Sequence, residues 1–308
     1  MTTVAAIRTH RWGEDEARLA AQLLPVFGER LSVVFHNRPQ GLTPPLPVVD
    51  MTDAWVTANG LRVTHDYGWR CGDYAYYALR QARPDASHYW LIEPDVMFTG
   101  PVADFFAVME GQAADALGVR FGEMNPLHRF ARTMPPEMPL QRAIFAITRF
   151  SGRALDRLLA LRQAYSASRV MQRNFVNDEI FAFSHLAAQP DMVLAAMADL
   201  APAWFADTTV ETDPDMLLDM LAGRAEPGVF HPVRARASFR EAVAKRAASN
   251  THFFAAMRPS LALLTDEDIA AIAADIGRRA AVFLADQRAA ARAENARAVG
   301  LAGSEAAE

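Results

Sequence analysis

Short apolar runs alternate with stretches of helical periodicity over the first third of the chain. Val4 to Thr9 reads as a first strand, and Leu31 to Phe35 as a second. Between them, Ala17, Leu19, Ala20, Leu23 and Leu24 recur at near-helical spacing within Glu14 to Phe27, which predicts a helix. Pro44, Pro45 and Pro47 impose an extended segment that leads into Val48 and Val49, a third strand, short or at an edge. From Trp69 to Ala82 apolar and aromatic residues return to helical spacing, and Pro84 with Asp85 closes that helix. His88-Tyr89-Trp90-Leu91-Ile92 is the kind of run a strand buried on both faces requires, and it leads directly into Glu93-Pro94-Asp95. Strands alternating with helices predict an α/β fold, with a mainly parallel central sheet and flanking helices.

Further along, Ala116 to Val119 reads as another strand, Gly122 to Pro139 as a loop long enough to serve as a lid, and Ala143 to Thr148 as an apolar stretch. Ser151 opens a helix through Leu155, Leu158, Leu159 and Leu161. Near the end, Thr265 with Asp268 resembles a capping box, and Ile269, Ile272, Ile276 and Phe283 form one apolar stripe. Beyond Asp286 the chain is mainly alanine, arginine and glutamate, which suits a solvated helix, an oligomer contact or a frayed end. The expected division is a main domain over 1–240 and a C-terminal helical extension over 241–308, the latter a candidate surface for homo-oligomers.

Composition narrows the possible chemistry. With 308 residues, 51% of them hydrophobic, the chain can bury a sizeable core. A net charge of -5 offers no basic excess to neutralise a nucleic-acid backbone, whereas a small polyphosphate needs only a few local cations or a metal. The single cysteine, Cys71, excludes an intrachain disulfide and a cysteine-rich zinc site. No apolar run reaches the roughly 18 residues of a membrane span. The expectation is a cytoplasmic protein with no transmembrane segment, peripheral membrane contact being left open.

The most informative motif is the acidic one. Side chains two apart on a strand point the same way, so Glu93 and Asp95 can present two carboxylates at the strand's carboxyl end, and Pro94 between them favours ending the strand there. In open parallel sheets the ligand crevice lies at those ends. Two hard oxygen ligands suit Mg²⁺ or Mn²⁺. The bland alternative is that the two acids mark the polar edge of a strand and cap the next turn.

Together with Trp69-Arg70-Cys71-Gly72-Asp73-Tyr74, Tyr76-Tyr77 and Gly100, the run Tyr89 to Val96 resembles the donor-binding half of glycosyltransferases with the GT-A fold. In these a strand ends in an Asp-x-Asp-like motif. The resemblance implies transfer of a sugar from a UDP- or GDP-sugar to an acceptor hydroxyl, carbohydrate or lipid-linked, with Mn²⁺ or Mg²⁺ as cofactor. Here Glu replaces the first Asp, so Asp95 is the better candidate for a direct metal ligand, with Glu93 acting through water or the ribose. By the same resemblance Val229-Phe230-His231-Pro232-Val233-Arg234 is similar to a late His-Pro segment that supplies a third metal ligand or a diphosphate contact, which makes His231 a candidate third ligand and Arg234 a candidate to offset leaving-group charge; a lone His before Pro as an ordinary loop residue is the plainer reading. Arg8 and His10 after the first strand, and Arg70 and Asp73 before the metal strand, are donor-binding candidates, each equally readable as a surface ion pair or a helix cap. In Phe175-Val176-Asn177-Asp178-Glu179-Ile180, Asp178 or Glu179 is the candidate general base for an inverting reaction, while Asn177 or Asp178 serving only as a helix cap is the plainer reading. Retention needs no such base.

Competing classes lack their signatures. There is no Gly-rich dinucleotide fingerprint and no phosphate loop ending in Gly-Lys-Ser/Thr. Neighbouring acids on one strand do not flank a glycosidic bond as hydrolases require. The remaining alternative is a non-catalytic sugar-nucleotide-binding or assembly protein on a degenerate transferase fold.

Overall fold

The computed structural model describes residues 2–168, 175–206, 209–212, 215–239, 241–242 and 265–305. Two compact units divide it, Met1–Phe239 and Arg240–Glu308.

The first unit is built on a seven-stranded sheet. Its members are β1 (Thr3–Thr9), β2 (Leu31–His36), β3 (Val48–Met51), β4 (His88–Ile92), β6 (Ala116–Glu123), β7 (Gln141–Ser151) and β8 (Leu194–Ala196), in the spatial order β3-β2-β1-β4-β7-β6-β8. Only β7 runs antiparallel to its neighbours. The helices are α1 (Glu14–Phe27), α2 (Asp53–Ala58), α3 (Tyr67–Arg70), α4 (Asp73–Ala82), α5 (Val102–Glu110), α6 (Gly152–Ala167), α7 (Asp178–Ala187) and α8 (Met197–Leu200). The architecture is therefore mixed α/β with a mainly parallel sheet and flanking helices, as the sequence implied.

Strand β1 shows how the sheet divides the core, since successive side chains point to opposite faces. Val4 and Ala6 join the cluster containing Tyr76, Tyr89, Leu91 and Phe150, whereas Ala5 and Ile7 join Leu19, Leu23, Phe27, Trp90 and Phe106. Every residue of β4 is buried, which accounts for its unbroken apolar run. Beyond the main sheet, β5 (Met97–Thr99), β9 (Thr209–Val210) and β11 (Gly228–His231) form a small three-stranded sheet, and β10 (Met216–Leu217) pairs with β12 (Val233–Arg234).

One sequence reading needs revision. The helix expected over Trp69 to Ala82 is two helices, α3 and α4, separated at Cys71 and Gly72, because the Gly72 N–H is committed to a side chain outside the helix, Asp178. The apolar stretch Ala143 to Thr148 is the middle of the longest strand, β7. Ser151 does cap α6, its hydroxyl accepting from Ala154 N at 3.2 Å.

In the second unit the described residues are 241–242 and 265–305, the latter carrying the helix α9 (Asp266–Glu305), on which Phe283 is exposed. The side chains of Asp268, Ile269, Ile272 and Ile276 lie outside the described residues, and with them the expected stripe and capping box. No described helix is long and apolar enough to cross a membrane.

Candidate metal and donor site

Strand order reverses beside β1: β2 and β3 extend the sheet on one side and β4 continues it on the other. The crevice at such a switch point opens at the carboxyl ends of β1 and β4. Ile7 and Ile92 are register partners, so Arg8 and Glu93 emerge there side by side. Pro94 cannot extend the ladder, and the Val96 N–H donates to the Glu93 carbonyl at 3.1 Å to close a turn.

A second segment is stitched to this turn. The Val233 N–H donates to the Asp95 carbonyl at 2.7 Å. Arg18 of α1 donates to the carbonyls of Pro94 at 3.0 Å and Val233 at 3.2 Å. Asp15 on the same helix accepts from Ala235 N at 2.7 Å. These bonds seat His231 over the acidic turn.

One ligand atom each from Glu93, Asp95 and His231 lies within 4.8 Å of the others. His231 Nε2 stands 3.3 Å from Glu93 Oε2 and 3.4 Å from Asp95 Oδ1. Its Nδ1 lies 2.6 Å from the Glu211 carbonyl, which can only accept, so Nδ1 carries the proton. In the neutral ring Nε2 is then a lone pair facing two carboxylates, and three acceptors converge with no donor among them. A divalent cation resolves that conflict, and this donor set fits Mn²⁺ or Mg²⁺. A second proton on the ring is the competing resolution.

Burial works against the Asp95 charge; with the second proton on the ring, the His231 charge and the Arg234 guanidinium outweigh burial and hold the carboxyl down at about 2. Arg234 pairs with Asp95 at 3.0 Å and with Asp215. Burial opposes the charge on Arg234 too, and the two acids more than offset it, raising its pKa above the ordinary arginine value.

Arg8 links this cluster to α7. It pairs with the Glu93 carboxylate and reaches Asp178 Oδ2 at 3.3 Å. The same Oδ2 accepts from Gly72 N at 2.7 Å, and Oδ1 accepts from Glu179 N at 2.9 Å. A Cβ on residue 72 would collide with Arg8 Nη1 and Asp178 Oδ2, so glycine is what lets the three groups meet. Burial pushes the Asp178 carboxyl up to about 7, aided by Glu179 and Asp73 and opposed by Arg8 and the Gly72 N–H. Glu179 is raised as well, again by burial, against a hydrogen bond from Asn177. Asn177 caps α7, its side chain accepting from Ile180 N at 3.4 Å.

The structure thus brings together Arg8, Glu93, Asp95, Asp178, His231 and Arg234, with Glu179 next to them. Three other candidates are placed differently. Asp73 is 1% exposed and bonds Arg162 at 2.6 Å and the Tyr77 hydroxyl at 2.9 Å within the core. Arg70 pairs with Asp66 at 2.6 Å and donates to the Phe175 carbonyl at 3.3 Å. His10 lies exposed beyond the end of β1. Sequence reading missed Asp15, Arg18, Glu211 and Asp215, and no local pattern marks them, because each acts on a partner remote in the chain or through its backbone.

No protein-family model and no curated protein matches the sequence. Among solved structures the chain is similar to mouse xyloside xylosyltransferase 1, at 14% identity and a TM-score of 0.41 over 75% of this chain and 97% of that one. It is also similar to a glycosyltransferase involved in the glycosylation of the major capsid of PBCV-1, at 10% identity and a TM-score of 0.38 over 78% and 98%. A third is a putative glucose-1-phosphate thymidylyltransferase from Bacillus anthracis, at 9% identity and a TM-score of 0.38 over 63% and 86%. Likeness this loose carries no functional weight of its own; the side chains at the switch point do.

Proposed function

We propose that the chain is a divalent-cation-dependent glycosyltransferase that takes a sugar from a UDP- or GDP-sugar and transfers it to a carbohydrate or lipid-linked acceptor hydroxyl, with residues 1–240 as the transferase domain and 241–308 as a helical extension. The observation that carries this reading is the convergence of three acceptor atoms from Glu93, Asp95 and His231 at the carboxyl ends of β1 and β4. In this reading the three side chains hold Mn²⁺ or Mg²⁺, which supplies charge to neutralise a departing diphosphate. Arg8 and Arg234, each already against a ligand carboxylate, add fixed positive charge on either side.

Burial supports different parts for the two acids of α7. Asp178 is enclosed and its oxygens are taken by the Gly72 and Glu179 N–H groups and by Arg8, which suits support of Arg8 rather than contact with an acceptor. Glu179 is only partly buried, and it is the better placed of the pair to face the acceptor.

Thermal shift with UDP- and GDP-sugars, with and without Mn²⁺, tests the site. A donor at a hundredfold its Kd stabilises by about 2.7 kcal/mol, and that gain should require the cation and vanish in Asp95→Ala. Stabilisation that is indifferent to Mn²⁺ or to Asp95 overturns the cation reading. Release of nucleoside diphosphate on incubation with the donor separates a transferase from a protein that only binds it.

A further inference from the structure

Arg120 stands in β6 where the register with β7 shifts between Val119 and Gly122. Its φ is +53°, a left-handed conformation that costs any residue bearing a Cβ. The side chain leaves the main sheet for the segment 209–212. Nε donates to the Val210 carbonyl at 3.3 Å, and Nη2 pairs with the Glu211 carboxylate. The backbone of Glu211 then grips His231 twice: its N–H donates to the His231 carbonyl at 3.0 Å, and its own carbonyl accepts the Nδ1 proton at 2.6 Å. Val210 is the register partner of His231 between β9 and β11. Both side chains of the Arg120–Glu211 pair are more than two-fifths exposed, so the pair adds little to stability. An unfavourable backbone conformation in the service of a weak ion pair is accounted for by what the pair holds in place.

We infer that Arg120 is a positioning residue which, through Glu211, fixes the ring orientation and tautomer of His231 so that Nε2 faces the two carboxylates. The inference rests on the cation-site reading proposed above. Arg120 presses 210–211 against β11, the Glu211 carbonyl keeps the proton on Nδ1, and the lone pair is left on Nε2 for a metal. Groups that orient a ligating histidine commonly govern metal affinity by roughly 10- to 100-fold.

The test uses the full-length protein, with Mn²⁺ as the probe. Mn²⁺ affinity is measured by the loss of the free-ion electron paramagnetic resonance signal. The His231 tautomer is read from long-range ¹H–¹⁵N spectra of the metal-free, histidine-labelled protein. Arg120→Gly removes the guanidinium and relieves the left-handed backbone, so the fold should be kept while Mn²⁺ affinity falls roughly 10-fold or more and the Nδ1–H tautomer loses its dominance. Glu211→Gln, which leaves the backbone carbonyl but removes the charge that Arg120 holds, should move both readouts in the same direction and stands in should Arg120→Gly not fold. Unchanged affinity and an unchanged tautomer in either folded variant overturn the inference. A wild-type protein that takes up no Mn²⁺ refutes the cation site itself, and the tautomer comparison in the metal-free protein still decides the role of Arg120.

Discussion

Replacing Asp178 by Asn isolates the most strongly perturbed acid of the crevice. Asp178 is 3% exposed, and burial carries its carboxyl from 3.8 up to about 7. With the folded value above the unfolded one, the group contributes nothing adverse below pH 3.8, where both states are protonated. As pH rises toward 7 the unfolded chain gives up the proton and the folded chain keeps it, so stability falls, and the loss is complete above about 7. The gap between 3.8 and about 7, at about 1.36 kcal/mol per pH unit, amounts to ~4 kcal/mol. The side-chain amide introduced by Asp178→Asn cannot titrate and preserves an acceptor for the Gly72 N–H. Urea unfolding of both proteins, followed by tryptophan fluorescence from pH 4 to pH 8, should therefore show the wild type losing ~4 kcal/mol relative to the variant across that range. Parallel profiles would mean that Arg8 keeps Asp178 ionised throughout, and the reasoning from burial would be wrong.

Other perturbations test the same framework. Gly72→Ala places a methyl group among Arg8 and Asp178 and should destabilise by about 1–3 kcal/mol, read as a lower Tm, together with weaker Mn²⁺ binding; an unchanged Tm would show that the crevice can relax. Arg162→Ala leaves the Asp73 carboxylate buried without its charged partner and should cost about 3–5 kcal/mol in urea unfolding, whereas loss of donor binding without loss of stability would move Asp73 from the core to the site. Chelation with EDTA should abolish the Mn²⁺-dependent part of the donor-induced shift and return Tm to the metal-free value, because Arg18 and the Val233 N–H hold the two loops by protein bonds alone; outright unfolding would contradict this.

The sheet was legible in the sequence wherever a run was buried as a unit. The observed bounds of α1 and β4 are those read from periodicity, since their apolar positions answer directly to one face or to both. Periodicity fails where a polar bond made across the fold decides the outcome. The spacing from Trp69 to Ala82 is helical throughout, yet the chain breaks at Gly72 because Asp178, 106 residues on, takes its N–H. The acidic turn was visible from Pro94 and the run before it. That His231 would meet it was suggested by motif order alone, and Arg18, whose bonds to Pro94 and Val233 secure the meeting, left no trace in the local pattern. Asp73 reads in sequence like a surface or ligand acid; its burial follows from Arg162, a charge 89 positions away on α6.

The pairing of the acidic turn with the Val233 N–H has a consequence for synthesis on the ribosome. Glu93 and Asp95 leave the exit tunnel long before His231, and so do β1, β2 and β4, which are neighbours in the finished sheet. His231, the third member of the proposed cation site, arrives only with β11, among the last pieces of the first unit to be made. A nascent chain therefore holds the two acids long before the histidine, so a truncated product lacking the residues after 227 would carry the acidic turn without His231.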